Sequence, residues 1–182
     1  MLGRCCRLRS ASSASSVDRY REGAEQVSAY ISRVIRGECI WEYSPVAVEA
    51  LDGLLAADAF AHGELMGLIE DSQEPGGLGA AINRDDGYDY RAPLPFPPWQ
   101  LTDPPWLGEL KVKGKRGIEH RLYFSEPVDT DDNRVVAVGY GRKDPRDLRG
   151  PIKQRDHIRK AMEYTRYWFR TQGYGIRPFG DT

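Results

Sequence analysis

Cysteine is scarce, with Cys5, Cys6 and Cys39 the only three in 182 residues. Two are adjacent and none has paired spacing, so neither a disulfide framework nor a zinc site can be built from them. A reducing, cytoplasmic setting is expected. Long apolar runs are missing as well. Nothing approaches the roughly 20 uninterrupted residues that a membrane-spanning helix needs, which excludes a helical membrane protein and predicts a soluble chain. Histidine is sparse: His62, His120 and His157 lie far apart, each reading as a structural or surface residue rather than a ligand. There is no HExxH, no GxSxG elbow and no glycine-rich phosphate loop. No metal and no cofactor is expected.

Net charge is nearly absent too, since 26 Lys+Arg face 27 Asp+Glu, but the balance conceals an asymmetry. Residues 58–107 hold two basic residues against nine acidic ones, a net of −7, whereas residues 108–170 hold sixteen against ten, a net of +6. A basic stretch of that size predicts contact with a polyanion.

A chain of this length accommodates one domain. Residues 1–16 are rich in arginine and serine and lack an acidic residue. They also lack the apolar core of a secretory signal, so a disordered tail is expected, although an organellar transit peptide has a similar composition. Val17, Tyr20, Ala24, Val27, Ile31 and Val34 recur at helical spacing, with Ser16 as cap and Gly37 as stop. Their apolar face serves either the core or a homodimer. Residues 38–43 read as a short strand. Ser44-Pro45 then opens a helix, whose buried stripe is expected to be Val48, Leu51 and Leu55, and residues 60–70 form a further helical piece. Between about 71 and 106, seven prolines, Gly76-Gly77 and the acidic run DDGYDY argue against regular structure. This region reads as a long insertion that Trp99 and Trp106 hold to the body.

Three strands follow: residues 109–113, 118–125 and 134–140, with a turn at 129–133. Alternation places Leu110, Val112, Leu122 and Phe124 toward a core, and His120 with them. Glu109, Lys111, Lys113, Arg121 and Tyr123 take the other face. The density of valine in the third strand predicts an interior position. Residues after Pro151 return to helical spacing through Ile158, Met162, Thr165 and Trp168 or Phe169, and stop near Gly173. The expected fold is a small α+β domain with a twisted antiparallel sheet, N-terminal helices and a C-terminal helix.

The candidate chemistry lies on the cationic sheet face. Lys111, Lys113 and Arg121, with Arg142 and Lys143 after the third strand and Lys115 and Arg116 in the turn between the first two, are expected to form one patch beside Tyr123. Fixed Arg and Lys donors favour the charge that grows on a phosphate as a ribose 2′-hydroxyl attacks it. A non-catalytic RNA binder would present the same face. His157, beside Asp156, is the best-placed histidine for general base.

Three blocks carry a resemblance to a known family: IWEYSPVAVEALDGL at 40–54, ELKVKGKRGIEHRLYF at 109–124, and VVAVGYGRKDP at 135–145 followed by QRDHIRKAMEY at 154–164. Together they resemble the RelE/ParE/HigB superfamily of bacterial toxins, the HigB-like, phage-associated branch most of all. The resemblance implies a metal-independent endoribonuclease that cleaves ribosome-associated mRNA and is held inactive by an antitoxin partner. It implies catalytic roles for Lys111, Lys113, Arg121 and Arg142, while the patch itself predicts RNA contacts from Lys115, Arg116, Tyr123 and Lys143. Where a related branch has a tyrosine after the last strand, this chain has Asp144-Pro145-Arg146-Asp147, leaving Tyr140 and Tyr123 as substitutes. A non-nuclease inhibitor of DNA gyrase is one alternative. Another is an RNA-binding module whose acidic insertion covers the basic face.

Overall fold

Period-2 and period-3.6 patterns become regular elements over residues 32–79, 89–94 and 101–179, the stretches that the computed structural model describes. The expected tail, most of the first helix, part of the acidic run and Trp99 lie outside these residues. The first described element is a four-residue helix, α1 (Arg33–Arg36), which begins after Ser32 in extended backbone and stops at Gly37, so the expected helix does not run unbroken through residue 32. That glycine has φ +91°, and a Cβ there would stand 2.2 Å from the Glu74 carbonyl oxygen, so the stop and the close backbone approach both require glycine.

β1 (Ile40–Tyr43) leads into Ser44, whose hydroxyl caps α2 (Pro45–Ala57) by accepting from the Ala47 amide. Asp58 ends that helix, and its carboxylate caps α3 (Ala59–Gln73) by accepting from the Ala61 amide. The buried stripe of α2 differs from expectation: Ala47, Leu51 and Leu54 are buried, whereas Val48 and Leu55 are about half exposed. This helix is apolar at nearly every position, so its sequence spacing leaves the rotation open, and packing on the sheet selects the face.

β2 (Tyr90–Arg91) pairs with β3 (Gly108–Lys113), so the proline-rich stretch does contain regular structure. A 3₁₀ turn (Lys115–Gly117) connects to β4 (Glu119–Ser125); β5 (Arg134–Lys143) and α4 (Gly150–Gln172) complete the body, with Gly173 in the left-handed conformation ending the helix. The sheet runs in the order β1-β5-β4-β3-β2. It is mixed rather than antiparallel throughout, because β1 lies parallel to β5.

Helices cover both faces. Leu51, Leu54, Leu65 and Ile69 of α2 and α3 pack on Leu110, Leu122, Phe124, Val135 and Ala137, while Ile158, Met162 and Phe169 of α4 pack on Tyr123, Val136 and Val138. Each large apolar side chain buried this way contributes about 1.5–3 kcal/mol. β5 therefore occupies the interior position that its valines predict. Among the described residues no helix is long and apolar enough to cross a membrane.

Candidate nucleic-acid interface

The register of three strands decides which charges meet. On the α4 side of the sheet, Glu109 stands opposite Tyr123, Lys111 opposite Arg121, and Lys113 opposite Glu119; across β4, Arg121 faces Gly141 and Glu119 faces Lys143. Lys111, Lys113, Arg121, Tyr123 and Lys143 thus share a face. Arg142 does not. It lies within β5 rather than after it, in register with His120, and alternation sends it to the α2/α3 side. The four cations implied as catalytic are therefore split three to one between opposite faces.

Burial separates them further. Lys111 and Arg121 are only 6% and 4% exposed, whereas Lys113, Lys115, Arg116 and Arg142 are open to solvent. Arg121 Nη1 donates to both Glu109 carboxylate oxygens at 2.9 and 3.1 Å, and Nη2 donates to Glu119 Oε2 at 2.6 Å. Lys143 Nζ approaches the same Glu119 oxygen at 3.7 Å. Burial alone would lower the Arg121 pKa, but the charge of Glu109 and the bond to Glu119 outweigh it and hold the guanidinium protonated. Glu119 is also buried in part, yet its bond to Arg121 carries its carboxyl below the ordinary range. A guanidinium clamped by two carboxylates has its charge offset before any phosphate arrives. Sequence reasoning placed Glu109 on this face without weighing it as a partner, because alternation gives sides and not pairings.

Gly141 adds a second feature. A Cβ at that position would lie 2.8 Å from the Tyr123 hydroxyl and 2.9 Å from His157 Nδ1, so glycine lets the phenol, the imidazole and the strand crowd together. Burial lowers the His157 pKa, the cations Lys160, Lys153 and Arg121 add to the effect, and Asp156 opposes it. The shift favours the neutral imidazole, the form that accepts a proton.

On the opposite face His120 Nδ1 and the Tyr140 hydroxyl share a hydrogen bond of 2.5 Å, and His120 Nε2 stands 3.9 Å from Asp58 Oδ2. Asp58 also accepts from the Lys115 amide at 2.7 Å, tying the α2–α3 junction to the β3–β4 turn. His120 is buried, as its parity predicts. Its link to Asp58 had no signal in the sequence beyond the capping position.

What remains open is a rim at the turn end of the sheet: Lys113, Lys115, Arg116, Arg142 and the partly exposed Lys143. The described parts of the proline-rich stretch do not cover it. They extend the sheet beside β3, where Asp89 accepts from the Lys111 amide, and pack Leu94 and Leu101 into the core beneath α4. Among the described residues no group of three His, Cys, Asp or Glu is arranged to hold a metal ion. Comparison with models of protein families, with curated proteins and with solved structures finds no match.

Proposed function

We propose that this protein binds single-stranded RNA through the cationic rim, as a toxin-like module of the kind its sequence resembles. One observation carries the reading: strand ends and turn bring Lys113, Lys115, Arg116 and Arg142 to one end of the sheet, exposed, with the half-buried Lys143 beside them, while Glu109 is buried and the part-exposed Glu119 is taken by Arg121 and Lys143. Strand-end cations of this kind follow a flexible backbone without reading a rigid groove. The test is fluorescence anisotropy with a labelled single-stranded RNA across a salt series. Replacing Lys113, Lys115 and Arg116 together by Gln is expected to lower the slope of log K against log salt by about 2, at roughly 0.7 per lost contact. Equal binding by wild type and the triple variant would refute the rim.

A second reading, endoribonuclease cleavage within a type II toxin–antitoxin system, is favoured by the meeting of Tyr123 and His157 over Gly141 beside Arg121. There His157 takes the 2′-hydroxyl proton, the 2′-oxygen attacks phosphorus, and the bond to the 5′-oxygen breaks as Tyr123 returns a proton. Arg121 exchanges Glu119, the less buried of its two carboxylates, for a phosphoryl oxygen. Because Tyr123 is fully buried and His157 sits in the second turn of α4, this chemistry requires the turn at 147–150 and the first turn of α4, ahead of His157, to lift; no side chain caps that helix start. Its antitoxin would then act by holding those turns down or by covering the rim. Growth arrest on expression, relieved by His157→Ala, checks this reading; unrelieved arrest with DNA breakage points to gyrase instead.

A further inference from the structure

The side of α4 that turns away from β1 carries an arrangement separate from the rim. Residues of an α-helix advance by 100° each, and Ile158, Met162, Thr165 and Phe169 define the buried line. Arg155, Arg159, Arg166 and Arg170 all fall on one flank beside that line, at spacings of four, seven and four. The flank is about 22 Å long at 1.5 Å per residue. Two contacts fix its direction. Trp168, on the other flank, donates to Glu42 of β1 at 3.1 Å, whereas Arg166 Nη2 donates to the backbone carbonyls of Thr102 and Asp103. The arginines therefore line the side toward β3 and the segment leading into it.

One acidic residue interrupts the flank. Glu163 is taken by Arg159 at 2.8 Å, while Arg155 and Arg170 are exposed and make no ion pair among the described residues. Over its whole length α4 carries six cations and two acidic residues, a net of +4.

A groove of about 390 Å³ opens at the distal end, lined by Glu163, Arg166, Tyr167, Arg170 and Thr171. Tyr167 is 62% exposed although it is a large aromatic, and its ring is backed by Tyr164 with centroids 5.7 Å apart. Cations along a line, ending at an open aromatic face in a groove flanked by guanidiniums, match the two needs of a single strand: phosphate pairing and base stacking. All four flank positions are arginine rather than lysine, which suits phosphate oxygens through paired N–H donors. Tyr and Arg also anchor protein interfaces, and a polyglutamate probe separates that occupant from RNA.

We infer that this flank is a second contact for single-stranded RNA, with phosphates on Arg155 and Arg170 and one base stacked on Tyr167. The inference rests on the RNA-binding reading above and extends its footprint from the rim along the helix. Arg166, held by two carbonyls, positions the groove wall.

The test uses the full chain, a labelled single-stranded RNA of about twelve nucleotides and three variants checked for folding by circular dichroism. Arg155→Gln/Arg170→Gln is expected to weaken binding about tenfold at low salt and to lower the salt slope by about 1.4, at roughly 0.7 per contact. Tyr167→Ala is expected to weaken binding at least fivefold with an unchanged salt slope, since stacking releases no counterions, and Tyr167→Phe to bind as wild type. If both α4 variants bind as wild type while the rim variant loses affinity, the flank is overturned and the rim stands. Loss of salt slope with a neutral Tyr167→Ala overturns the stacked base. A wild-type chain that ignores RNA overturns the rim and the flank together, and tight binding of polyglutamate in place of RNA identifies a protein partner instead.

Discussion

Arg121 and Arg142 sit on adjacent strands at the same end of the sheet, yet their surroundings are opposite. Arg121 lies beneath α4, 4% exposed and bonded to Glu109 and Glu119; Arg142 emerges on the other face in register with His120, open to solvent. On the α4 face charge is neutralised by charge, inside. On the α2/α3 face an imidazole and a phenol share a hydrogen bond, and the cation is left to the solvent. Basic residues that look equivalent along a sequence therefore divide into structural ones, whose partners are already in place, and available ones. Pleat and helix cover make that division.

The sharpest way to break this contrast is Arg121→Met. It strands Glu109, which is fully buried, without its counter-charge, and is expected to cost about 3–5 kcal/mol in urea unfolding. The double variant Glu109→Leu/Arg121→Met should recover much of that loss. If Arg121→Met alone melts as wild type, the buried network is not structural. Next in size is Gly141→Ala, whose methyl group meets Tyr123 and His157 at under 3 Å; a loss of about 1–3 kcal/mol is expected, read from the thermal midpoint.

On the other face, Tyr140→Phe removes only one neutral hydrogen bond to His120 and should cost about 1–2 kcal/mol. A loss as large as that of Arg121→Met would erase the distinction between the faces. Acid supplies a related measurement. His120 and His157 both have folded-state pKa values lowered first by burial; Arg142 adds to this at His120 against Asp58, and Lys160, Lys153 and Arg121 add to it at His157 against Asp156. The unfolded chain thus binds protons first. Their contribution is complete above an unfolded value of about 6.5 and is lost as pH falls below it. Glu109 and Glu126, whose carboxyl pKa values burial raises, act in the opposite sense on the global profile, so the check is each imidazole's own NMR titration: folded-state midpoints at or above about 6.5 would contradict both assignments. The smallest effect belongs to the rim, where Lys115→Ala should shift stability by no more than about 0.5 kcal/mol while weakening RNA binding.

Local chemistry was legible wherever one residue suffices to dictate it. Ser44-Pro45 starts a helix because hydroxyl and ring satisfy the first turn, Gly37 and Gly173 end helices because they tolerate positive φ, and alternation put His120 on the Leu122 side. Several features were not legible. The rotation of α2, with Ala47 and Leu54 inward instead of Val48 and Leu55, follows from what the sheet offers. β2 forms among prolines because the β3 edge supplies partners for its backbone. β5 runs on through Lys143, which sets Arg142 and Lys143 on opposite faces.

Composition and periodicity by themselves determined an α+β body with three successive strands, a valine-rich interior strand and a basic C-terminal third, since these depend on residue type and spacing along one chain. Tertiary structure alone decided that β1 runs parallel to β5, that Glu109 and Glu119 claim Arg121, that His157 meets Tyr123 over Gly141, and that the arginine flank of α4 turns toward the segment leading into β3. Each of these joins residues distant in sequence or fixes a helix's rotation, and the energy that selects it exists only once the layers pack.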